Sequence, residues 1–271
     1  MKVALCCIGR LENQYAVEFI EWHKSIGFDK IFIYDNNHDG EDSFEDVIQN
    51  YIDDGFVELI SWRNKDAAQL PAYNDFYKKH GSEYDWIAFF DFDEFLTLVQ
   101  DNDVKSYLNK FNGFDAIKLN WMTYTDNGLI INDGRPVLER FTQPMEYDKH
   151  FNYSFPENNH VKLFVRGGIS NFKWSGVPHI VSMNLKYADS TGKASDNKIF
   201  QPYDFSVAYL KHFSMKTIDE YLNKKRIRGH GNRSYAKFKQ IFKADDFFKI
   251  NEKTDEKVKF VDNFIKSLGN K

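Results

Sequence analysis

Three acids close the most apolar stretch of the chain. They are Asp91, Asp93 and Glu94, within WIAFFDFDEFL at residues 86–96. A run this rich in aromatic side chains belongs to a strand buried on both faces, where an unpaired carboxylate is very costly. Residues two apart on a strand face the same side, so Asp91 and Asp93 are expected to converge while Phe92 turns into the apolar layer. Two carboxylates held that close repel unless a cation lies with them. Magnesium or manganese suits the pair, because hard cations take carboxylate oxygens and fill their other positions with water and substrate phosphate. Such an ion would neutralise the charge developing on a departing diphosphate. Taken alone, Asp-x-Asp is a common surface turn; its place at the end of the aromatic run is what raises it. Glu94 is expected to alternate to the opposite face, in a helix-starting or salt-bridging role.

The elements that would position these acids alternate. Residues 3–8 and 30–34 read as strands, as do 57–60 and the quoted run. Helical signals fall between them at 15–26 (apolar spacing at Val17 and Ile20, continued by Lys24), from Asp42 or Ser43 through residue 52, and at 67–80 despite Pro71. A helix near 104–111 and a strand at 116–120 follow. Alternation of this kind implies a parallel sheet covered by helices, with ligands bound beyond the carboxyl ends of the strands. Gly9-Arg10, Asp35-Asn36-Asn37, Trp62-Arg63 and Asp91-Asp93 then gather along one rim. The second half loses the alternation. Apolar pieces at 137–141, 161–165, 179–181 and 207–213 suggest antiparallel strands. From Lys216 onward the chain reads as basic and then amphipathic helix, with Val258, Val261, Phe264, Ile265 and Leu268 on one stripe.

Bulk composition narrows the function classes. The 271 residues, 42% hydrophobic and 17% aromatic, supply one large core. A formal charge of −4 gives no global electrostatic case for nucleic acid as a partner. Cys6 and Cys7 are adjacent in an apolar run and read as reduced core thiols. The start meets Arg10 and Glu12 too soon for a signal peptide and reads as a first strand. No apolar run reaches membrane-spanning length, so a cytoplasmic setting is expected, with peripheral contact at the inner face of a membrane through the basic C-terminal helices.

The order of these motifs resembles the GT-A type glycosyltransferases, specifically the family 2-like proteins related to glycosyltransferase family 92. The matching pieces are NQYAVEFIEWHKSIGFDKIFIYDNN after the first strand, Gln69 with AYNDF, and DWIAFFDFDEFL. Later come Trp121 with Asn127-Gly128, Glu139-Arg140-Phe141, Lys162, His179, and HFSMKTIDEYLNKKRIRG from residue 212 to 229. The resemblance implies an α/β GT-A fold, a Rossmann-like mixed sheet flanked by helices. It places a glycosyltransferase domain at 1–230 (nucleotide-binding half 1–120, acceptor half 121–230) and a helical extension at 231–271.

It also implies roles. Asp91 and Asp93 would hold a divalent ion bridging the donor diphosphate. His212 would supply a third ligand, and its imidazole favours manganese over magnesium. Asp35 would contact the nucleoside, accepting from uracil N3–H or ribose hydroxyls and so favouring a UDP-sugar; an acid in an Asx turn with Asn36 and Asn37 is the competing reading. Arg10 would stack on the base, reach phosphate, or pair with Glu12 or Glu18. Gln69, Tyr73 and Asn74 would lie near the donor. Lys216, Arg226 or Arg228 would contact the diphosphate, with Gly229 and Gly231 hinging a lid. Transfer with inversion needs a base for the acceptor hydroxyl; Asp126 falls in the acceptor-facing loop, and Glu139 and Glu157 compete with it. Trp121, Tyr124 and Trp174 are stacking candidates for sugar, or buried core aromatics. The expected reaction moves a sugar from a nucleotide-sugar donor to a hydroxyl of a glycan or lipid-linked oligosaccharide in surface polysaccharide synthesis. The rivals are nucleotidyl transfer on the same metal rim and a non-catalytic glycan-binding protein.

Overall fold

The computed structural model describes residues 1–146, 156–175, 177–181, 184–227 and 244–269. Side-chain alternation along the first strands decides the layering. In β1 (Val3–Gly9), Val3, Leu5 and Cys7 face helices α1 (Asn13–Ser25) and α2 (Glu45–Asp53). Ala4 and Cys6 face the other way, onto α3 (Gln69–His80). Both cysteines are buried and unbridged, and burial pushes their thiols well above the usual range. Strands β2 (Lys30–Asp35) and β3 (Val57–Ser61) extend the parallel sheet on one side of β1, and β4 (Trp86–Phe89) on the other. Pro71 sits in the first turn of α3, where its missing N–H costs no helical bond. The buried face of α1 is Tyr15, Ala16, Phe19, Ile20 and His23; Val17, expected to face inward, is exposed, on the same side as Lys24 about two turns later, which turns out to Asp54.

Beyond β4 the sheet mixes directions. β7 (Val161–Arg166) runs antiparallel between β4 and β6 (Ala116–Thr123). β6 then serves two sheets. Its first half pairs in parallel with β10 (Tyr187–Asp189), which hairpins into β11 (Ala194–Ser195). Its second half pairs in parallel with β12 (Ala208–His212), and β12 pairs antiparallel with β5 (Glu94–Leu98). The architecture is α/β with a mostly parallel central sheet, as expected. A small ribbon of β8 (Trp174–Ser175) and β9 (Val177–Val181) packs near α3. One expected strand, 137–141, is instead the helical turn α5 (Val137–Arg140), whose first N–H groups are taken by the Glu18 carboxylate at 2.7 and 2.8 Å. The predicted helix near 104–111 forms as α4 (Val104–Leu108), capped by Asp103. A further turn, α6, spans Pro156–Asn159.

Toward the C-terminus, α7 (Ile218–Ile227) and α8 (Asp255–Gly269) bracket a 3-10 turn, Ala244–Lys249. They pack around Ile218, Tyr221, Leu222, Phe247 and Val261. Of the predicted α8 stripe, Val261 is buried and Phe264 joins the packing, but Ile265 is exposed. Among the described residues, no helix is long and apolar enough to cross a membrane.

Candidate active site

Strand directions bring one set of ends together. The carboxyl ends of β1, β2, β4, β6 and β12 and the amino ends of the antiparallel β5 and β7 share one rim. Close packing under it requires a glycine: a Cβ on Gly9 would lie 2.6 Å from the Phe44 ring and 2.7 Å from Phe92. Phe92 stacks on Phe44 with centroids 5.3 Å apart, turned inward as the sequence suggests.

The acids themselves do not alternate on a strand. β4 ends at Phe89 and β5 begins at Glu94, so Asp91 and Asp93 lie in the intervening turn. A turn breaks the period-two rule, and the two aspartates diverge to different partners. Asp91 accepts from Gln69 Nε2 at 2.6 Å, from the Tyr73 hydroxyl at 3.3 Å and from Lys162 Nζ at 2.8 Å. Asp93 accepts from Lys224 Nζ at 2.8 Å. Glu94 is not on the far side. Its carboxylate accepts the Asp91 N–H at 2.9 Å and stands 3.3 Å from Lys162 Nζ.

A different trio therefore converges. Asp93, Glu94 and His212 each present a ligand atom within 4.8 Å of the others, and all three residues are buried. The register explains it: His212 is the cross-strand partner of Glu94, and the Phe213 N–H donates to the Asp93 carbonyl at 2.9 Å. Among the described residues, Nδ1 of His212 is buried with no hydrogen-bond partner, and Oε1 of Glu94 meets the Lys162 ammonium at 3.3 Å. Two carboxylate oxygens and an imidazole nitrogen within reach of one ion fit a divalent ion of the manganese kind. Burial lowers the His212 pKa to about 4, which keeps the ring neutral and able to ligate at physiological pH. Trp121 backs the ring, centroids 4.1 Å apart, and His160 stacks on Trp121 at 4.9 Å. Trp121 is thus flanked by histidines, and Trp174 is a core aromatic against Phe89 and Tyr73.

Lys162 is fully buried. Burial opposes its charge, but Asp91 and Glu94 outweigh that and hold the ammonium above its ordinary value. The same ion pair, working against burial, holds Asp91 below the carboxylate range, whereas burial pushes Glu94 well above it. One fixed cation thus stands between Asp91 and Glu94, closer to Asp91.

Around the rim, Asp35 accepts the Asn37 N–H at 2.9 Å, an Asx turn, and pairs with Arg63 at 3.2 Å. Its burial raises its pKa against those two contacts. Arg10 pairs with Glu41 at 2.7 Å, not with Glu12 or Glu18. Arg63 also donates to the carbonyls of His38 and Glu41. Asn37 accepts the Leu11 N–H at 2.7 Å and reaches Asn13. Gln69 joins the site through Asp91, but Asn74 does not: it binds the Leu70 carbonyl and the Trp174 N–H, tying α3 to β8.

Lys216 is buried beneath the rim at a left-handed φ of 56°, its ammonium 4.1 Å from the Tyr15 ring and, among the described residues, without a hydrogen-bond acceptor. Burial and the nearby Lys224 lower its pKa to about 8, against the pull of Glu12, Asp93 and Glu220. Asp126 turns away from the rim. Its N–H donates to Asn251 Oδ1 at 2.7 Å, Oδ1 accepts the Gly128 N–H, and Oδ2 pairs with the buried Lys257 at 2.6 Å. Glu139 lies in α5 and Glu157 in α6. Arg228, Gly229 and Gly231, with the rest of the basic segment to Arg233, lie outside the described residues, as does the side chain of Glu157.

Sequence reasoning named Lys162 and Glu12 without giving either a place in the site, and passed over Lys224 and Lys257. Lys162 carried a signal, a lone charge within the apolar run VKLFV. So did Lys224, which follows Lys216 and Glu220 at four-residue spacing. Lys257 is found only by folding.

A mixed sheet with acids and an imidazole at its carboxyl rim defines a class, α/β proteins with a candidate metal-binding site beyond the strand ends. The glycosyltransferase family 92 model matches residues 2–258, and the chain belongs to that family. A glycosyltransferase family 92 protein from Ricinus communis is 28% identical over 134 residues, covering 47% of this chain and 24% of the relative. One from Arabidopsis thaliana is 28% identical over 164 residues, covering 52% and 27%. The chain spans about a quarter of the length of these curated relatives. Among solved structures, residues 1–349 of Staphylococcus aureus TarS in complex with UDP-GlcNAc superpose with a TM-score of 0.40 at 12% identity, over 61% of this chain and 45% of that one.

Proposed function

We propose that this protein transfers a sugar from a nucleotide-diphosphate donor, UDP-linked by preference, to a hydroxyl of a glycan or lipid-linked acceptor. The observation that carries the reading is the buried trio Asp93, Glu94 and His212 at the carboxyl rim of a family 92 sheet. We assign a divalent ion, manganese before magnesium, to those three residues. When bound, it supplies positive charge where a diphosphate leaves. Asp91 then has a supporting part: fixed by Lys162 and Gln69, it holds the turn so that Asp93 and Glu94 face His212. Lys216 offers an ammonium with no partner to a diphosphate, in a setting where burial strengthens the attraction. The nucleoside end is assigned to Asp35 and Asn37, with Arg63 and the Arg10–Glu41 pair closing it.

The test is a donor screen with manganese present, following release of free nucleotide. UDP release that is lost on chelation and in Asp93→Asn and His212→Ala is the expected result. Release of pyrophosphate would identify nucleotidyl transfer instead, and sugar binding without turnover of any donor would identify a binding protein.

A further inference from the structure

Lys224 stands where a cation would act, which raises the question of what it does there. Its Nζ lies 2.8 Å from Asp93 Oδ2 and 3.3 Å from Glu12 Oε1, with only 11% of its side chain exposed. The ring of His212 lies on the other oxygen of the same carboxylate, Nε2 being 3.9 Å from Asp93 Oδ1. Asp93 is thus flanked by the candidate ion's position on one oxygen and by a built-in ammonium on the other. Two cations on one carboxylate repel each other, the more so in a buried site. The second ammonium, Lys216, already lies buried with no hydrogen-bond partner among the described residues. An anion arriving here would meet two lysines, one of them still engaged.

We propose that Lys224 is a positioning residue that serves as the resident counter-ion of Asp93 in the unliganded protein, and that a divalent ion entering among Asp93, Glu94 and His212 releases its ammonium to the donor's diphosphate. The proposal rests on the cation reading of this site. Lys224 lies on α7, whose start is fixed independently of it. Thr217 and Glu220 cap that helix reciprocally, at 2.8 to 3.2 Å, and Glu220 also binds Arg140 and Tyr15. The side chain can therefore swing from Asp93 without α7 moving. Ion and diphosphate become coupled through one ammonium: each removes what hinders the other.

The coupling predicts effects of opposite sign. Manganese binding to the full chain without nucleotide, followed by electron paramagnetic resonance, should be at least about tenfold tighter in Lys224→Met than in the wild type, within the usual range of coupling between linked sites. With manganese saturating, UDP binding to the same variant should weaken by about tenfold, because the diphosphate loses a partner. Lys224→Arg should behave as the wild type in both. A merely structural lysine would weaken both when removed, and that result overturns the proposal, as does unchanged manganese binding in Lys224→Met. Wild-type crystals soaked with manganese and UDP give an independent reading. The Lys224 ammonium should have left Asp93 for the diphosphate; an ammonium still bonded to Asp93 beside the ion overturns the proposal. His212→Ala separates the two layers. If it abolishes manganese binding while Lys224→Met changes nothing, only the role of Lys224 fails. If His212→Ala and Asp93→Asn bind manganese like the wild type, or no form binds it, the cation reading fails too.

Discussion

A buried lysine between two acids has consequences that a surface lysine does not. Lys162 is wholly enclosed, 2.8 Å from Asp91 and 3.3 Å from Glu94. Lys162→Met would leave the acids without their cation, and removing one partner of a buried pair costs about 3–5 kcal/mol. Urea denaturation should show a loss of that size, and Asp91→Asn a smaller one, since its Gln69 and Tyr73 contacts survive. Lys216 makes a prediction in pH. Its pKa of about 8 lies below that of an unfolded lysine, so the ammonium is fully present in the fold only below that value. UDP affinity should fall as pH rises through about 8, and the fall should vanish in Lys216→Met. Stability has the opposite trend: between about 8 and the unfolded pKa the unfolded chain binds more protons, so this group's contribution to stability rises with pH. Calorimetry across that interval checks the sign.

At the scale of the element, α7 and α8 are held by acids that sequence reading had assigned elsewhere or not at all. Burial disfavours the charge of Glu220, yet Arg140 and Tyr15 bind it strongly enough to lower its pKa to about 2. The folded pKa is depressed, so its stabilisation is present above the unfolded value and is lost as pH falls toward about 2. A shift of this size corresponds to about 3 kcal/mol, which Glu220→Gln should remove at neutral pH. Asp126 works similarly for the segment before α8, through Asn251 and Lys257. Asp126→Asn should lower Tm while leaving kcat of the folded enzyme nearly unchanged, whereas loss of a general base would cut kcat by 10²–10⁴. What was legible and what was not divides along the same line. The β1–α1–β2–α2–β3–α3–β4 order, the rim residues and the inward Phe92 follow from periodicity and strand ends. The pairing of Asp93 with His212 rather than with Asp91 depended on a turn of four residues, where alternation says nothing. Val137–Arg140 has the apolar pattern of a strand, but Glu18, far off in sequence, caps it as a helix.

For the molecule as a whole, the family match from residue 2 to 258 runs past the basic segment and into α8, whose Lys257 reaches back to the loop after β6. The carboxyl rim of the sheet and the C-terminal helices are thus packed together, through Lys257 and Asp126 and around Ile218 and Val261. Strand β6 gives its first half to one sheet and its second half to another. The Asp35 end and the His212 end are joined by one continuous ladder, β2 to β1 to β4 to β7 to β6 to β12. A clamshell opening along a seam between those two ends would have to unzip part of that ladder.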